Sequence, residues 1–266
     1  MFSKQRYCSV FAMLVVAGIA ISMMGCKRHP VVSGPVTSAQ NSGTQPGAVQ
    51  IVSNGAISGT IVFTGQAPAT TIDTSMDPAC SSDGKSKLAT EQFVVKAGKL
   101  ANVYVYVKSG PPTAMRDNGR SAQAVVVDQK DCQFRPHVVA VAAGGYVEFR
   151  NSDGTMHNVH TNPNEIDNES IDVSQGPHGA PQSKQFVKPE VMIPVRCNVH
   201  PWMSAFVNVS ATRFFDISDA NGHFDLRGMP PGEYVIAAVH EKLGEKTMTV
   251  NVTSHQTSTA EFSFAK

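Results

Sequence analysis

Short runs in which hydrophobic and polar residues alternate begin near residue 56 and continue to the C-terminus. The clearest are residues 56–64 and residues 102–107, and no ten-residue stretch shows a helical period. Alternation with a period of two is typical of half-buried strands. Further predicted strands cover residues 124–127, 137–141, 146–150, 191–197 and 205–209. The pattern predicts an all-β protein with strands arranged in a sandwich.

The last 50 residues repeat this pattern on a smaller scale. Turn sequences at residues 219–222 and 230–232 separate predicted strands at residues 223–226 and 234–239. Further alternation places Met248, Val250, Val252, Phe262 and Phe264 on strands. Because residues 211–266 are marginal as an independent domain, we expect them to pack on the preceding one. The strand at residues 56–64 is a candidate for sharing between the two.

The N-terminus has the layout of a secretory signal. Lys4 and Arg6 precede an apolar stretch that ends in Gly25-Cys26 and resembles a bacterial lipobox. The expectation is a signal peptide over residues 1–25 and a lipid on Cys26. The alternative is an uncleaved membrane anchor, since about 20 apolar residues span a bilayer. Either way the rest of the chain lies in the periplasm or at the cell surface. In the Gram-negative lipoproteins that it resembles, Lys27 implies the outer membrane.

Residues 26–54 are expected to form the lipidated N-terminus and a flexible tether, because residues 29–54 are rich in Ser, Gly, Gln, Pro and Val. The full chain carries 22 Lys and Arg against 21 Asp and Glu, a net charge of +1. A nucleic-acid-binding protein would carry a basic surplus, so we expect no nucleic-acid partner. Charged residues make up only 16% of the chain, which suits a loop-rich β protein.

Cys197, His200 and Met203 bring a thiolate, an imidazole and a thioether together within seven residues. Such soft ligands favour copper, and a second imidazole from another strand would complete the ligand set of a blue-copper electron-transfer site. Structural zinc prefers four Cys or His ligands. A c-type haem or a thioredoxin-like site needs a second nearby cysteine. The remaining alternative is a buried free cysteine with chance neighbours.

Residues 120–210 resemble the cupredoxins of plastocyanin and amicyanin type. The matching motifs are Phe134-x-Pro136-x-x-Val139-x-Val141, Gly144-Gly145, Val147-x-Phe149-x-Asn151, His157-Asn158-Val159 and the loop Cys197-Asn-Val-His200-Pro-Trp-Met203. The resemblance implies a Greek-key cupredoxin sandwich with one type 1 copper ion. It also implies His157, Cys197, His200 and Met203 as ligands, and a redox protein, such as a cytochrome or an oxidoreductase, as partner.

The resemblance assigns roles to the neighbours of these ligands. Asn158 is implied to brace the loop that carries the cysteine. Asn198 stands where Ser or Thr is commoner, which affects the hydrogen bonds around the thiolate. His200 is implied to expose a ring edge through an apolar patch of Pro201 and Trp202, where electrons leave. The alternative for Trp202 is that it fills the core.

Two other histidines compete for the copper. His160 lies three residues after His157, so on a strand the two side chains point to opposite faces. The His-Asn pair favours His157 as the first ligand and a surface position for His160. His137 is a candidate further ligand, although an ordinary strand histidine is the simpler interpretation.

The chain has five cysteines. Cys8 lies in the signal, Cys26 takes the lipid and Cys197 takes the metal. Outside the cytoplasm the remaining two, Cys80 and Cys132, are expected to form a disulfide. The alternative is a second copper or redox site.

Residues 219–234 resemble the carboxypeptidase regulatory-like, or prealbumin-like, β-sandwich. We therefore expect a cupredoxin-like domain over residues 55–210 and a small prealbumin-like sandwich over residues 211–266. The expected function is electron transfer rather than enzymatic catalysis, because the His-Cys-His link of a multicopper oxidase is missing from the sequence. A copper store or chaperone, and a structural lipoprotein with a vestigial site, remain open.

Overall fold

The computed structural model describes residues 54–69, 71–81 and 86–266, and nearly all of its regular elements are strands. They are β1 (Gly55–Thr64), β2 (Thr71–Asp73), β3 (Lys87–Ala89), β4 (Val95–Lys96), β5 (Lys99–Leu100), β6 (Tyr104–Ser109), β7 (Val125–Lys130), β8 (Gln133–Arg135), β9 (Val138–Ala142), β10 (Gly145–Asn151), β11 (His157–Thr161), β12 (Asp172–Gln175), β13 (Gln182–Phe186), β14 (Glu190–Arg196), β15 (Ser204–Ser210), β16 (Phe215–Ile217), β17 (His223–Met229), β18 (Gly232–His240), β19 (Gly244–Val252) and β20 (Thr257–Ala265).

Helical structure in the described ranges is limited to single turns. The α-helix Pro112–Met115, which is α1, and the 3₁₀ helices Pro78–Ser81 and Ile166–Asn168 are the helical elements there. The prediction of an all-β protein is confirmed.

The predicted ligands lie in a sandwich of two sheets. One sheet has the strand order β13-β10-β7-β8, and the other has the order β12-β11-β14-β15-β9. Val127 and Phe149 of the first sheet pack in one hydrophobic core with Val159, Val195 and Val207 of the second. All five side chains are fully buried, because alternate positions of each strand face the opposite sheet.

A second hydrophobic core joins the beginning of the described chain to its end. In the first of its two sheets, β1 pairs with β17 in antiparallel and with β20 in parallel orientation. In the second sheet, β6 pairs with both β16 and β18. Ile57 and Phe224 of the first sheet share this core with Val105 and Ile236 of the second.

The two cores divide the chain differently from the predicted domains. The prediction assigned residues 55–210 to one domain, whereas the strands at residues 55–64 and 104–109 pack with strands after residue 214. The strand at residues 56–64 was predicted as a shared element, and it lies between two C-terminal strands. The C-terminal strands pack with these earlier strands because a short segment alone buries too little apolar surface.

The signal peptide over residues 1–25, Cys26 and residues 26–53 of the tether lie outside the described residues. Within the described ranges, none of the helices is long and apolar enough to span a bilayer.

Candidate metal centre

Three strands bring the candidate ligands to one end of the sandwich. Residues 197–203 connect β14 to β15, which pair antiparallel with Arg196 opposite Ser204. Strand β11 pairs with β14 and begins at His157. Within the connection, the Met203 N–H donates to the His200 carbonyl over 2.9 Å, and the Cys197 N–H donates to the Met203 carbonyl over 3.3 Å. These main-chain bonds leave the loop little freedom to rearrange.

His157, Cys197 and His200 converge. The two Nδ1 atoms of the histidines are 2.9 Å apart, and the Cys197 Sγ is 3.8 Å from the Nδ1 of His200. All three ligand atoms lie within 4.8 Å of one another. The residues are 0%, 3% and 2% exposed, so the cluster is closed to bulk water. One ion with metal–ligand bonds of about 2.0–2.3 Å could contact all three atoms after small adjustments.

The Cys197 thiol lies where a thiolate is favoured. The main-chain N–H groups of Asn158 and His200 point at its Sγ over 3.3 and 3.4 Å. Burial raises the pKa of the thiol, but hydrogen bonds from His157 and from main-chain N–H groups outweigh burial and lower this pKa to about 6. A thiolate is the form that binds metals.

His157 carries the matching positive charge in the metal-free site. Burial lowers its pKa, but the hydrogen bond to Asp153 and the interaction with Cys197 raise this pKa to about 9. The Asp153 Oδ2 lies 2.7 Å from the His157 Nε2. Burial raises the pKa of Asp153, and the hydrogen bonds from His157, Cys132 and Asp131 prevail and lower it. In the metal-free cluster these two groups favour each other's charged form, the thiolate of Cys197 and the protonated ring of His157.

His200 differs from the expectation in its exposure. The resemblance implied an exposed ring edge, whereas the ring is 2% exposed and its Nε2 lies 2.7 Å from the Asp77 Oδ2. Asp77 comes just before the 3₁₀ helix Pro78–Ser81. The hydrogen bonds from His200 and from the Ala79 N–H lower the pKa of Asp77. The expected direct exposure of the ligand edge is therefore wrong for this protein.

The side chains around His200 still form an apolar surface. The Trp202 ring centroid lies 5.1 Å from that of His200, and the Trp202 Nε1 donates to the Cys132 carbonyl over 3.2 Å. Trp202 is half-buried against the core, so it lies partly in the core and partly in the apolar surface patch. Pro201 is exposed. A cavity of about 340 Å³ above them is lined by Met76, Asp77, Val199, His200, Pro201 and Trp202.

Met203 is 2% exposed and belongs to the hydrophobic core of this sandwich. Its main chain is hydrogen-bonded to both Cys197 and His200, which places the residue beside the cluster. The assignment of its sulfur as a weak axial ligand stays a prediction.

Asn158 links the strand of His157 to the loop of Cys197. Its Oδ1 accepts the Asn198 N–H over 3.3 Å, and its Nδ2 donates to the Asp172 Oδ1 over 2.7 Å. This is the bracing position that the resemblance implied. The Asn198 side chain hydrogen-bonds to Asp172 and to the ring of His160.

The two competing histidines lie in other environments. The His160 side chain is 39% exposed and contacts Asn198 and Asp172 at the surface. His137 is buried, with its Nε2 2.6 Å from the Glu241 Oε1 and its Nδ1 3.0 Å from the Ser204 carbonyl. Both of its ring nitrogens are thus engaged outside the cluster.

Cys80 and Cys132 form a disulfide, as predicted. In the part of the chain that the structure describes, Cys197 is the free cysteine. The predicted pairing leaves no thiols for a second copper site at Cys80 and Cys132.

Asp77 and Asp153 are the site residues that sequence analysis missed. Asp153 lies four residues before His157, so its proximity could have been inferred from the sequence. Asp77 lies 123 residues before His200. Its only signal in the sequence was Cys80, three residues further along, together with the predicted disulfide.

Comparison with known proteins gives likenesses to copper proteins over part of the chain. No family model and no curated protein matches. A mutant amicyanin in its Cu(I) form is 19% identical, covering 41% of this chain and 98% of that one at a TM-score of 0.30. The reduced Cu(I) form of another amicyanin mutant is 20% identical with the same coverage and TM-score. A copper-containing nitrite reductase from Thermus scotoductus is 19% identical, covering 56% of this chain and 28% of that one at a TM-score of 0.30.

Proposed function

We propose that this protein binds one copper ion and transfers single electrons. The ligands would be His157, Cys197 and His200, with Met203 as a weak axial ligand. The observation that carries the proposal is the convergence of two Nδ1 atoms and one Sγ in a buried cluster. Two imidazoles, a thiolate and a thioether are the ligand set of a type 1 copper site, so the donor chemistry fits this metal.

The surroundings of these ligands favour the binding of an ion. The lowered pKa of Cys197 favours the thiolate, so little free energy is needed to deprotonate this ligand, whereas His157 must release its proton when the ion binds. The loop is fixed by its own main-chain bonds and by Asn158. Burial excludes water from the ligand atoms. Bound copper would supply a one-electron couple between Cu(II) and Cu(I). A site that rearranges little suits such a couple, and no substrate pocket is required.

The setting of the protein is part of the same proposal. A lipid on Cys26 would hold it at a membrane outside the cytoplasm, in the periplasm or at the cell surface. The disulfide agrees with such an oxidising compartment. A redox protein would be its partner, and the protein itself would act as a carrier rather than an enzyme.

Copper titration of the purified full chain tests the proposal. One equivalent of Cu(II) should produce intense visible absorption from the thiolate, and ascorbate should bleach it reversibly. Colourless binding would support a copper store or chaperone instead, and absence of binding would support a structural lipoprotein. Cys197→Ser should abolish the absorption; persistent colour in this variant would show that the site is assigned wrongly.

A further inference from the structure

Each histidine of the cluster has a carboxylate at Nε2, the ring nitrogen that points away from the cluster. The Asp153 Oδ2 lies 2.7 Å from the His157 Nε2, and the Asp77 Oδ2 lies 2.7 Å from the His200 Nε2. Both imidazoles are almost fully buried, and the hydrogen-bond partner of each Nε2 atom is one of these carboxylates. The inner Nδ1 atoms face each other and Cys197.

A carboxylate at the outer nitrogen decides which nitrogen can bind a metal. An ionised carboxylate only accepts hydrogen bonds, so it keeps a proton on the Nε2 that faces it. A neutral imidazole then has its free lone pair on Nδ1, the atom that points into the cluster. Such partners also fix the orientation of the ring.

The two carboxylates are connected through the disulfide. On one side, the Cys80 N–H donates to the Asp77 carbonyl over 3.0 Å, and the Ala79 N–H donates to the Asp77 Oδ1 over 2.8 Å. On the other side, the Cys132 N–H donates to the Asp153 Oδ2 over 2.9 Å. The bond between Cys80 and Cys132 therefore joins the two segments that hold the two imidazoles.

We propose that Asp77 and Asp153 are the positioning residues of the metal centre, and that the Cys80–Cys132 disulfide joins them into one clamp. Asp153 belongs to the same sandwich as the ligands, in the connection between β10 and β11. Asp77 precedes that sandwich in the chain and belongs to the segment between β2 and β3. The disulfide is thus what ties a distant carboxylate to His200. This inference rests on the proposed copper site.

Asp77→Asn is the sharpest test. Asn keeps the oxygen that accepts the Ala79 N–H, but its amide presents donors to the His200 Nε2. The His200 ring can hydrogen-bond to this amide by accepting at Nε2. Its proton then moves to Nδ1, which blocks the atom that would bind the metal. We expect copper affinity to fall by about 10–100-fold. Asp73→Asn is the matched control, since Asp73 is exposed at the end of β2, four residues before Asp77, and its carboxylate accepts the Ser75 N–H. This control should bind copper as the wild type does.

Asp153→Asn should weaken copper binding by a similar factor through His157. Its matched control is Asp131→Asn, because the Asp131 side chain is 58% exposed and pairs with Arg135. Asp131 contacts Asp153 only through its main-chain N–H, which the substitution keeps.

The double variant Cys80→Ala/Cys132→Ala keeps both carboxylates but removes the covalent link between their two segments. It should weaken binding less than Asp77→Asn.

Nitrogen-15 NMR of the metal-free histidines separates this inference from the proposed function. The wild type should carry the proton of His200 on Nε2, and Asp77→Asn should shift it to Nδ1, whether or not copper is ever bound. A wild type that takes up no copper would refute the proposed function, and an unchanged His200 tautomer in Asp77→Asn would then refute the orientation as well. If the wild type binds copper and Asp77→Asn binds it equally well, the positioning role is refuted whatever the tautomer.

Discussion

The main-chain N–H of Asn158 points at the Sγ of Cys197 over 3.3 Å. The same residue accepts the N–H of Asn198, the next residue in the cysteine loop, through its side-chain oxygen. One asparagine thus supports the sulfur through its backbone and the loop through its side chain. Its position next to His157 couples the strand of one candidate ligand to the loop of another.

Asn158→Ala should destabilise the metal-free protein without removing the N–H that faces the sulfur. The Asn198 N–H and the Asp172 carboxylate would each lose a hydrogen bond to a side chain that is 5% exposed. We expect the free energy of unfolding to fall by about 1–3 kcal/mol, measured by urea denaturation. Asn198→Ala is the control and should change it by less than about 0.5 kcal/mol, because that side chain is exposed. Equal stability of Asn158→Ala and the wild type would mean that the main chain alone holds the loop.

His157→Ala and His160→Ala should separate the two candidates for the first ligand. His157 is fully buried with its Nδ1 in the cluster, whereas the His160 side chain is 39% exposed at the surface. We expect His157→Ala to lose the visible absorption of the copper-loaded protein and His160→Ala to keep it. Optical titration with Cu(II) measures both variants, and the opposite result would assign the ligand to His160.

Local spacing explains why much of the site was predictable. Cys197, His200 and Met203 share one short connection, so their proximity follows from the sequence alone. His157 lies about forty residues earlier, and its assignment depended on the His-Asn motif within a resemblance to a family. The strands on either side of the cysteine loop were among the predicted ones, whereas β11, which begins at His157, was not.

The contributions from distant segments were not predictable in the same way. Asp77 reaches His200 from 123 residues away, and a single acidic residue in a loop has no pattern that marks it. The pairing of β1 with β17 and β20 likewise joins the two ends of the described chain. Such pairings depend on how whole sheets assemble, because an alternating strand fits many neighbours equally well.

Removal of the disulfide should lower stability more than removal of any single hydrogen bond. The bond between Cys80 and Cys132 spans a sequence separation of 52 residues. Cross-linking a loop of this length restricts the unfolded chain and is worth about 3–4 kcal/mol in the chain-entropy description. We expect Cys80→Ala/Cys132→Ala to lose about that much free energy of unfolding in urea denaturation.

A reductant provides the control for this loss. Reduced wild-type protein should unfold close to the midpoint of the double variant, and the double variant should not respond to the reductant. A double variant as stable as the oxidised wild type would contradict the prediction.

His240 should make the stability of the second core depend on pH. The residue is 1% exposed and lies against the rings of Phe93 and Phe264. Its Nδ1 accepts the Lys242 N–H. Burial lowers its pKa below the ordinary 6.5, although the neighbouring Glu241 acts in the opposite direction. The protonated form is therefore disfavoured in the folded protein.

The sign of the effect follows from proton binding. Below pH 6.5 the unfolded chain binds a proton at His240 that the folded protein binds less readily, so stability falls as the pH falls. The slope from this one group is at most about 1.4 kcal/mol per pH unit. His240→Leu removes the titrating group, so its free energy of unfolding should fall less steeply than that of the wild type between about pH 6.5 and pH 5. Urea denaturation of both proteins at several pH values measures the difference, and parallel curves would show that His240 gains its proton equally well when folded.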